Sequence, residues 1–495
     1  MDNYSIMVLR AILTNDKEEK FMALPKPTGI QIEVLDLKPK GHQVILGTAG
    51  SGKTTIAIYR AAYLAKLDKT ERVLIITFNK TLVKYLESIS EGELDNIDVC
   101  NYHKFARGYL NSRNKMPKRN GIVSGRDDDD TVQLSLIKKA IQSVIGEVGI
   151  NSTLKRDPNV FLEEISWLEK MGVKTLNEYE TAERIGRANM RVLRENRKYF
   201  YMVYQAYIEK RTQAGYLYDW DDIAIAVCNE FENDSTDRWY KHIVIDEGQD
   251  LSPMMLKSLT MAIPPDGTLT FFGDVAQQIY GGRISWRDAG LNIEKHRIWR
   301  FDRNYRNSKE ITKLAIAISK SPYFMNEVDL VEPIMPTASA PLPAVVKFSD
   351  ENNEISWIVE SAISMSTASR VAILARDRKT VNDIVELLHE NKVRPQVLKS
   401  NMVSWNEDAK ISVGTFHSAK GLEFDTVLIP YCSKERLPSE ERIQTFEGRD
   451  EALKEEIKLI YVAVTRAKRG LIITFTGEKT EMIPENNGLY SESEG

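Results

Sequence analysis

Along the chain, apolar runs of strand length alternate with amphipathic stretches of helical length, first around residues 43 to 100 and again from about 240 to 290. Parallel strands are buried on both faces and need crossover helices, so this alternation predicts parallel α/β layers. Strands are predicted at HQVIL before Gly47, RVLIITF (72–78), HIVID (242–246) and TLTFFGD (268–274). A second series follows at AVVKFS (344–349), RVAILA (370–375), ISVGTF (411–416), TVLIPY (426–431) and LIITF (471–475). Two α/β lobes are therefore expected. Between about 104 and 215 the texture is helical, and the aspartates of RDDDDTVQLSLIKKAIQ read as a solvated first turn ahead of apolar residues at helical spacing. Aromatics of RKYFYMVYQAYIEK (197–210) fall on several helix faces, which predicts packing. DWDDIAI (219–225) is expected to start a helix returning to the first lobe, with Asp219 or Asp221 as cap.

The pattern divides the chain into a first lobe over 1–103, a helical insertion over 104–215, the rest of the first lobe over 216–292 and a second lobe over 293–480. A polar tail, 481–495, is expected to be disordered. Composition agrees with large cores, at 42% hydrophobic and 28% charged residues. No apolar run reaches the roughly 18 residues of a membrane span, and the N-terminus does not read as a signal peptide, so a cytoplasmic protein is expected. Cys100, Cys228 and Cys432 lie far apart, and with six scattered histidines they form no zinc pattern. A net charge of -4 does not indicate non-specific polyanion binding by the whole surface, so any nucleic-acid site is expected to be local.

The chemistry is concentrated in a few motifs. GTAGSGKT follows a strand and opens a helix, the context of a phosphate-binding loop. Gly47, Gly50, Ser51 and Gly52 let backbone N–H groups converge on phosphates, Lys53 reaches the β and γ phosphates, and the Thr54 hydroxyl ligates magnesium. IVIDEGQD (243–250) puts Asp246 at a strand end to hold the metal and Glu247 beside it as the base for the attacking water. FFGDVAQQIY supplies Gln277, an amide placed to sense the γ phosphate. Arg306 and Arg466 suit the arginine finger, a part worth about 10³ to 10⁵ in rate, with ATP lying between the lobes.

These motifs resemble those of the UvrD/Rep-like superfamily 1 helicases. The matching set runs in family order: Gln31, GTAGSGKT, ITFNKTL (76–82), NYHKFA (101–106), IDEGQD, GDVAQQIY, RNYRN (303–307), VGTFHSAKGLEF (413–424) and KLIYVAVTRAK (458–468). The resemblance implies RecA-like lobes 1A and 2A, a helical 1B insertion, ATP and Mg2+ as cofactors, and 3′ to 5′ movement on single-stranded DNA, with RNA not excluded. It further implies that Gln31 reads the adenine, Tyr305 stacks on it and Glu423 contacts the ribose. Thr77, Phe78, Asn79, Tyr102, His103, Tyr280, Thr415 and His417 would form the DNA track.

The chain also departs from the family pattern. Thr55 stands at the edge of the adenine pocket where relatives often carry arginine, and Ala276 replaces an acidic residue. Gly282 takes the place of an aromatic, for which Trp286 and Arg287 are expected to substitute at a shifted position. The basic stretch 283 to 306 reads either as a solvated surface or as part of the strand path. A second basic loop, NSRNKMPKRN (111–120), is a weaker candidate for duplex contact. The segment from Arg306 to Val413 is too short for the 2B domain of long relatives, which implies a compact form. Expected functions are a DNA helicase or, with 2B lacking, a translocase that strips proteins. A nucleotide-dependent subunit serving a nuclease, repair or defence factor is the remaining reading, and no membrane partner is expected.

Overall fold

The computed structural model describes residues 27–48, 50–77, 95–117, 121–123, 130–182, 192–274, 290–291, 298–304, 306–324, 334–398, 406, 409–446 and 448–495. The chain forms two compact units: Met1–Ile45, Thr54–Gly273 and Tyr280–Trp299 make one, and Leu46–Lys53, Asp274–Ile279 and Arg300–Gly495 the other.

The first sheet has six strands: β1 (Gly41–Gly47), β2 (Val73–Ile76), β3 (Ile97–Cys100), β6 (His242–Ile245), β7 (Thr268–Gly273) and β8 (Ile298–Phe301), in the order β3-β2-β6-β7-β1-β8. A two-stranded ladder, β4 (Ile122–Val123) with β5 (Tyr218–Asp219), lies between β3 and β6 in sequence. The pairs β2–β3, β2–β6 and β6–β7 are parallel, so their carboxyl ends share one edge, where open α/β sheets bind ligands. Every residue of β2, β6 and β7 is buried, which is why these strands read as continuous apolar runs.

Helices of the first unit are α1 (Ile30–Leu35), α2 (Lys53–Leu67), α3 (Tyr102–Ser112), α4 (Asp130–Val148), α5 (Pro158–Met171), α6 (Leu176–Thr181), α7 (Arg197–Gln213), α8 (Ile223–Asn233) and α9 (Pro253–Met261). Local signals set their ends: Asp157 caps α5 ahead of Pro158, left-handed Gly172 stops it, and a Thr175–Glu178 capping box starts α6. On α7, Phe200, Tyr201, Val203, Tyr204 and Tyr207 are buried, matching the packing expectation. At the return to α8 the N-cap is Asp222, whose side chain makes no capping bond, which corrects the expected cap at Asp219 or Asp221. The Asp219 carboxylate instead orders the preceding turn, accepting the backbone N–H groups of Asp221 (3.0 Å) and Asp222 (2.9 Å) while Arg211 donates to it at 2.9 Å.

The second unit is built on a seven-stranded parallel sheet: β9 (Ala344–Phe348), β10 (Val371–Ala375), β11 (Gln396–Val397), β12 (Ile411–Thr415), β13 (Phe424–Ile429), β14 (Ala467–Thr476) and β15 (Ser491–Glu494). Their order is β11-β12-β10-β13-β14-β9-β15. Its helices are α10 (Lys309–Ser319), α11 (Glu351–Ser366), α12 (Arg378–Glu390), α13 (Glu440–Thr445) and α14 (Arg449–Val464). One core packs α10 and α14 against the sheet through Ile311, Leu314, Ile457, Ile460 and Val464. Another packs α11 and α12 through Ile358, Ile384 and Leu388. The tail corrects the expectation of disorder. Met482, Ile483 and Tyr490 are buried, and Ser491–Glu494 pairs along β9. The polar sequence conceals this because β9 supplies the hydrogen-bond partners that the segment lacks locally.

Candidate active site and nucleic-acid interface

Buried β1 delivers the chain into the glycine loop, and α2 begins at Lys53, so the first N–H groups of α2 face the loop. Gly50 and Gly52 hold φ of 74° and 81°, a left-handed backbone that side chains resist. The loop is closely packed: a Cβ at Gly50 would sit 2.4 Å from Arg306 Cβ and 2.5 Å from Asn304 Oδ1. A Cβ at Gly47 would meet Ser51 Oγ at 2.5 Å. Buried Lys53 donates to the carbonyls of Gly47 (2.9 Å) and Thr48 (2.7 Å) and lies 4.0 Å from the Asp274 carboxylate. The sequence reading passed over Asp274, although GD directly after the β7 run marks a strand-end carboxylate.

In the first unit, Thr54 Oγ1 donates to Asp246, at 3.0 Å from Oδ2 and 3.2 Å from Oδ1. Asp246 is 1% exposed, and its backbone N–H joins the end of β2 through Ile76 O. A hydroxyl and a carboxylate converging at the ends of parallel strands form the hard-oxygen donor set that suits magnesium. Glu247 adopts φ 55° and ψ 39°, an uncommon backbone for glutamate. Its carboxylate accepts from Gln249 Nε2 at 2.5 Å. Strain of this kind clusters at reactive positions, and Gln249 fixes the carboxylate that the sequence singled out as base. Gln249 was not anticipated, though its place two residues after Glu247 was a signal. Half-buried Thr55 follows on α2, and buried Gln31 on α1 accepts from the Thr28 N–H at 3.0 Å.

In the second unit, Arg306 Nε donates to Glu423 at 2.7 Å, and Lys468 lies 3.1 Å from the other oxygen of that carboxylate. Burial alone would raise the pKa of Glu423, but the two cations outweigh it and hold the group below the ordinary value. The carboxylate expected at the ribose is thus engaged by cations here. Arg466 is 1% exposed, and its guanidinium donates to Val462 O (3.0 Å), Leu422 O (3.3 Å) and Thr465 Oγ1 (3.2 Å). To reach a phosphate it must exchange those carbonyls, so its finger role requires rearrangement from this conformation. Asn307 joins the two arginine-bearing segments by donating to Thr465 O (3.1 Å) and Ala467 O (2.5 Å). Asn304 Oδ1 in turn accepts the N–H groups of Arg306 (2.9 Å) and Asn307 (3.1 Å).

Several expected track residues, Phe78, Asn79, Tyr280, Trp286 and Arg287, lie outside the described residues, as do Gln277, Tyr305 and Asp127 to Asp129. Tyr102 is a correction. It is fully buried with its hydroxyl 2.7 Å from Ser258 Oγ, because it lies on the packed face of α3 with Phe105, Ala106 and Tyr109. Thr77 is buried at the end of β2, and half-buried His103 meets the edge of Trp220 at 4.7 Å. Thr415 Oγ1 accepts from Ser418 N–H at 3.2 Å at the carboxyl end of β12. Beside it, burial and then the neighbouring Arg376 charge lower the pKa of His417 to about 3. The imidazole is therefore neutral at physiological pH and can offer hydrogen bonds but no positive charge. In the basic loop, Arg113 pairs with Asp234 at 2.6 Å and Lys115 with Glu230 at 3.3 Å, which weakens the expectation of duplex contact.

A strand, a glycine loop and a helix, with a carboxylate–threonine pair at the ends of parallel strands, define a P-loop nucleoside triphosphatase. The comparisons give the family. The UvrD/REP helicase N-terminal domain matches residues 30–297 and the UvrD-like helicase C-terminal domain matches 397–478. The chain belongs to the UvrD/REP helicase family. It is similar to a probable DNA helicase of Mycoplasma pneumoniae, 24% identical over 464 residues, covering 88% of this chain and 80% of the relative. A probable DNA helicase II homolog of Mycoplasma genitalium is 24% identical over 397 residues, covering 72% and 53%. The ATP-dependent DNA helicase srs2 of Schizosaccharomyces pombe is 24% identical over 380 residues, covering 71% and 42%. Apart from the first, the chain spans about half or less of these relatives. No helix among the described residues is long and apolar enough to cross a membrane.

Proposed function

We propose that the chain is an ATP-driven 3′ to 5′ motor on single-stranded DNA that uses hydrolysis to translocate and to separate duplex. The observation that carries the reading is the approach of Thr54 Oγ1 to the buried Asp246 carboxylate, directly after Lys53 in a glycine loop. Thr54 and Asp246 would hold magnesium, which supplies charge neutralisation of the phosphates when bound. Lys53 would exchange the Gly47 and Thr48 carbonyls for β and γ phosphate oxygens. Glu247, oriented by Gln249, accepts the proton of the attacking water, and Gln31 reads the adenine. Arg306 and Arg466 contribute positive charge to the developing phosphate oxygens.

Direction along the strand must come from ATP. Stacking a base on an aromatic is worth about 1–3 kcal/mol, close to the mean of about 1.4 kcal/mol for one DNA base-pair step. Stacking can therefore trap an opened base without biasing the next step. Family membership supports DNA as the track. The test is single-strand-stimulated ATP hydrolysis and strand displacement by the wild-type, Lys53→Ala and Glu247→Gln chains. Both substitutions are expected to abolish turnover, and normal turnover in either one refutes the site assignment.

A further inference from the structure

Arg60 lies on α2, two turns after the phosphate loop, and none of its surface meets solvent. Withdrawing a guanidinium from water is costly unless its donors find partners; Nε has none among the described residues, so the burden falls on the two terminal nitrogens. Its Nη1 donates to Leu35 O at 2.7 Å and Nη2 to Lys38 O at 3.4 Å. The Tyr63 ring, nearly one turn further along α2, has its centroid 5.4 Å from the guanidinium carbon. Burial is the largest influence and lowers the pKa to about 10, against the opposing effects of Tyr63 and Asp36, so Arg60 remains charged at neutral pH.

The choice of partners carries the inference. Leu35 is the last residue of α1, and its carbonyl is one of those a helix end leaves without an internal partner. α1 has only 6 residues, too few to persist on its own, and a cation at its C-terminus stabilises it. Lys38 O is shared, since Gln43 Nε2 on β1 also donates to it, at 2.9 Å. The helix that leaves the phosphate loop therefore holds the end of α1 at Leu35, and that helix and the strand that enters the loop both hold the turn just after it at Lys38. Gln31 sits one turn before Leu35 on the same helix and is buried.

We propose that Arg60 is a positioning residue for nucleobase recognition. It fixes the helix of Gln31 to the two elements flanking the phosphate loop, so that base and phosphates are read from one frame and hydrolysis is selective for adenine. This rests on the reading of Gln31 given under the proposed function. Arg60 itself touches no substrate. Its loss leaves the phosphate grip of Lys53 and Thr54 in place and releases α1.

The test compares single-strand-stimulated hydrolysis of ATP and GTP by the full chain as wild type, Arg60→Lys, Arg60→Met, Gln31→Ala and the Arg60→Lys/Gln31→Ala double variant. Arg60→Met is expected to raise KM for ATP by roughly tenfold or more with kcat at saturation retained, while KM for GTP changes less than about twofold. Arg60→Lys should lose less, because an ammonium still reaches one carbonyl but cannot fork to two. The double variant should be no less selective than Gln31→Ala alone, as expected when one residue acts through the other. Should Arg60→Met fail to fold, Arg60→Lys and the double variant decide the matter. Unchanged ATP selectivity in Arg60→Lys and Arg60→Met, an equal fall in kcat on both nucleotides, or additive losses in the double variant overturns the proposal alone. Equal KM for ATP and GTP in the wild-type chain overturns the adenine assignment beneath it as well.

Discussion

Gly50→Ala tests how closely the phosphate loop is fitted to the segment bearing Arg306. A side chain at φ 74° costs about 1–2 kcal/mol for the left-handed backbone alone. The new Cβ would stand 2.4 Å from Arg306 Cβ, whereas carbon atoms rest at about 3.5–4.0 Å, so the Arg306 backbone must retreat by roughly 1 Å. That retreat strains the Asn304 acceptor, which holds the Arg306 and Asn307 N–H groups, and the Arg306–Glu423 bond. Because Glu423 is 44% exposed, the ion pair is discounted to at most about 1 kcal/mol. With about 1 kcal/mol for the overpacking that forces the retreat, the total is about 2–4 kcal/mol. Borne by the nucleotide site, it corresponds to a loss of roughly 30- to 1000-fold in kcat/KM for ATP. Steady-state hydrolysis and urea denaturation, run together, show whether the cost falls on the site or on the fold. Gly108→Ala is the control, since Gly108 is exposed on α3 with nothing within 4 Å of its added Cβ, and it should gain about 0.5–1 kcal/mol. A Gly50→Ala chain with wild-type kcat/KM and wild-type urea midpoint refutes the reasoning.

Other outcomes follow from the same structure. Gln249→Leu removes the amide that holds the Glu247 carboxylate and should lower kcat by about 10- to 100-fold, a hydrogen bond to a charged group being worth about 1.5–3 kcal/mol; unaltered single-turnover hydrolysis would contradict the positioning role. His417 resists protonation in the folded state, with a pKa lowered to about 3, so the unfolded chain binds its proton first as pH falls below about 6.5. Stability of the second unit should therefore fall with pH through the window from about 6.5 toward 3, and His417→Gln should flatten that slope in urea titrations at stepped pH. Deleting 481–495 removes buried Met482, Ile483 and Tyr490 and the partner of β9; the thermal transition of the second unit should drop, and an unchanged transition would show that this strand adds nothing.

Much of the fold was legible because buried parallel strands must be apolar along their whole length. The predicted runs at β1, β2, β6, β7, β9, β10, β12, β13 and β14 all form strands. β3 and β8 are short and only partly buried, so no such run marks them. The glycine loop was readable because its geometry restricts residue type, as the left-handed Gly50 and Gly52 show. Tyr102 misled because a motif position was given more weight than helical spacing. Residues 102, 105, 106 and 109 trace one packed stripe, and burial follows the stripe. Arg60, Asn304 and Asn307 were not legible as anchors, since each acts on backbone carbonyls or amides whose position only the folded chain fixes.

The placement of β14 between β13 and β9 bears on how the protein is made. β9 leaves the ribosome early in the second unit, yet its partners Ala467–Thr476 and Ser491–Glu494 follow only after roughly a hundred or more further residues. Asn307 likewise waits for Thr465 and Ala467. At about 5–20 residues per second, the apolar edge of β9 stays unpaired for on the order of ten seconds. During nascent-chain growth, that exposed ribbon is where a holdase would bind and where a stalled or truncated product would aggregate or be cut.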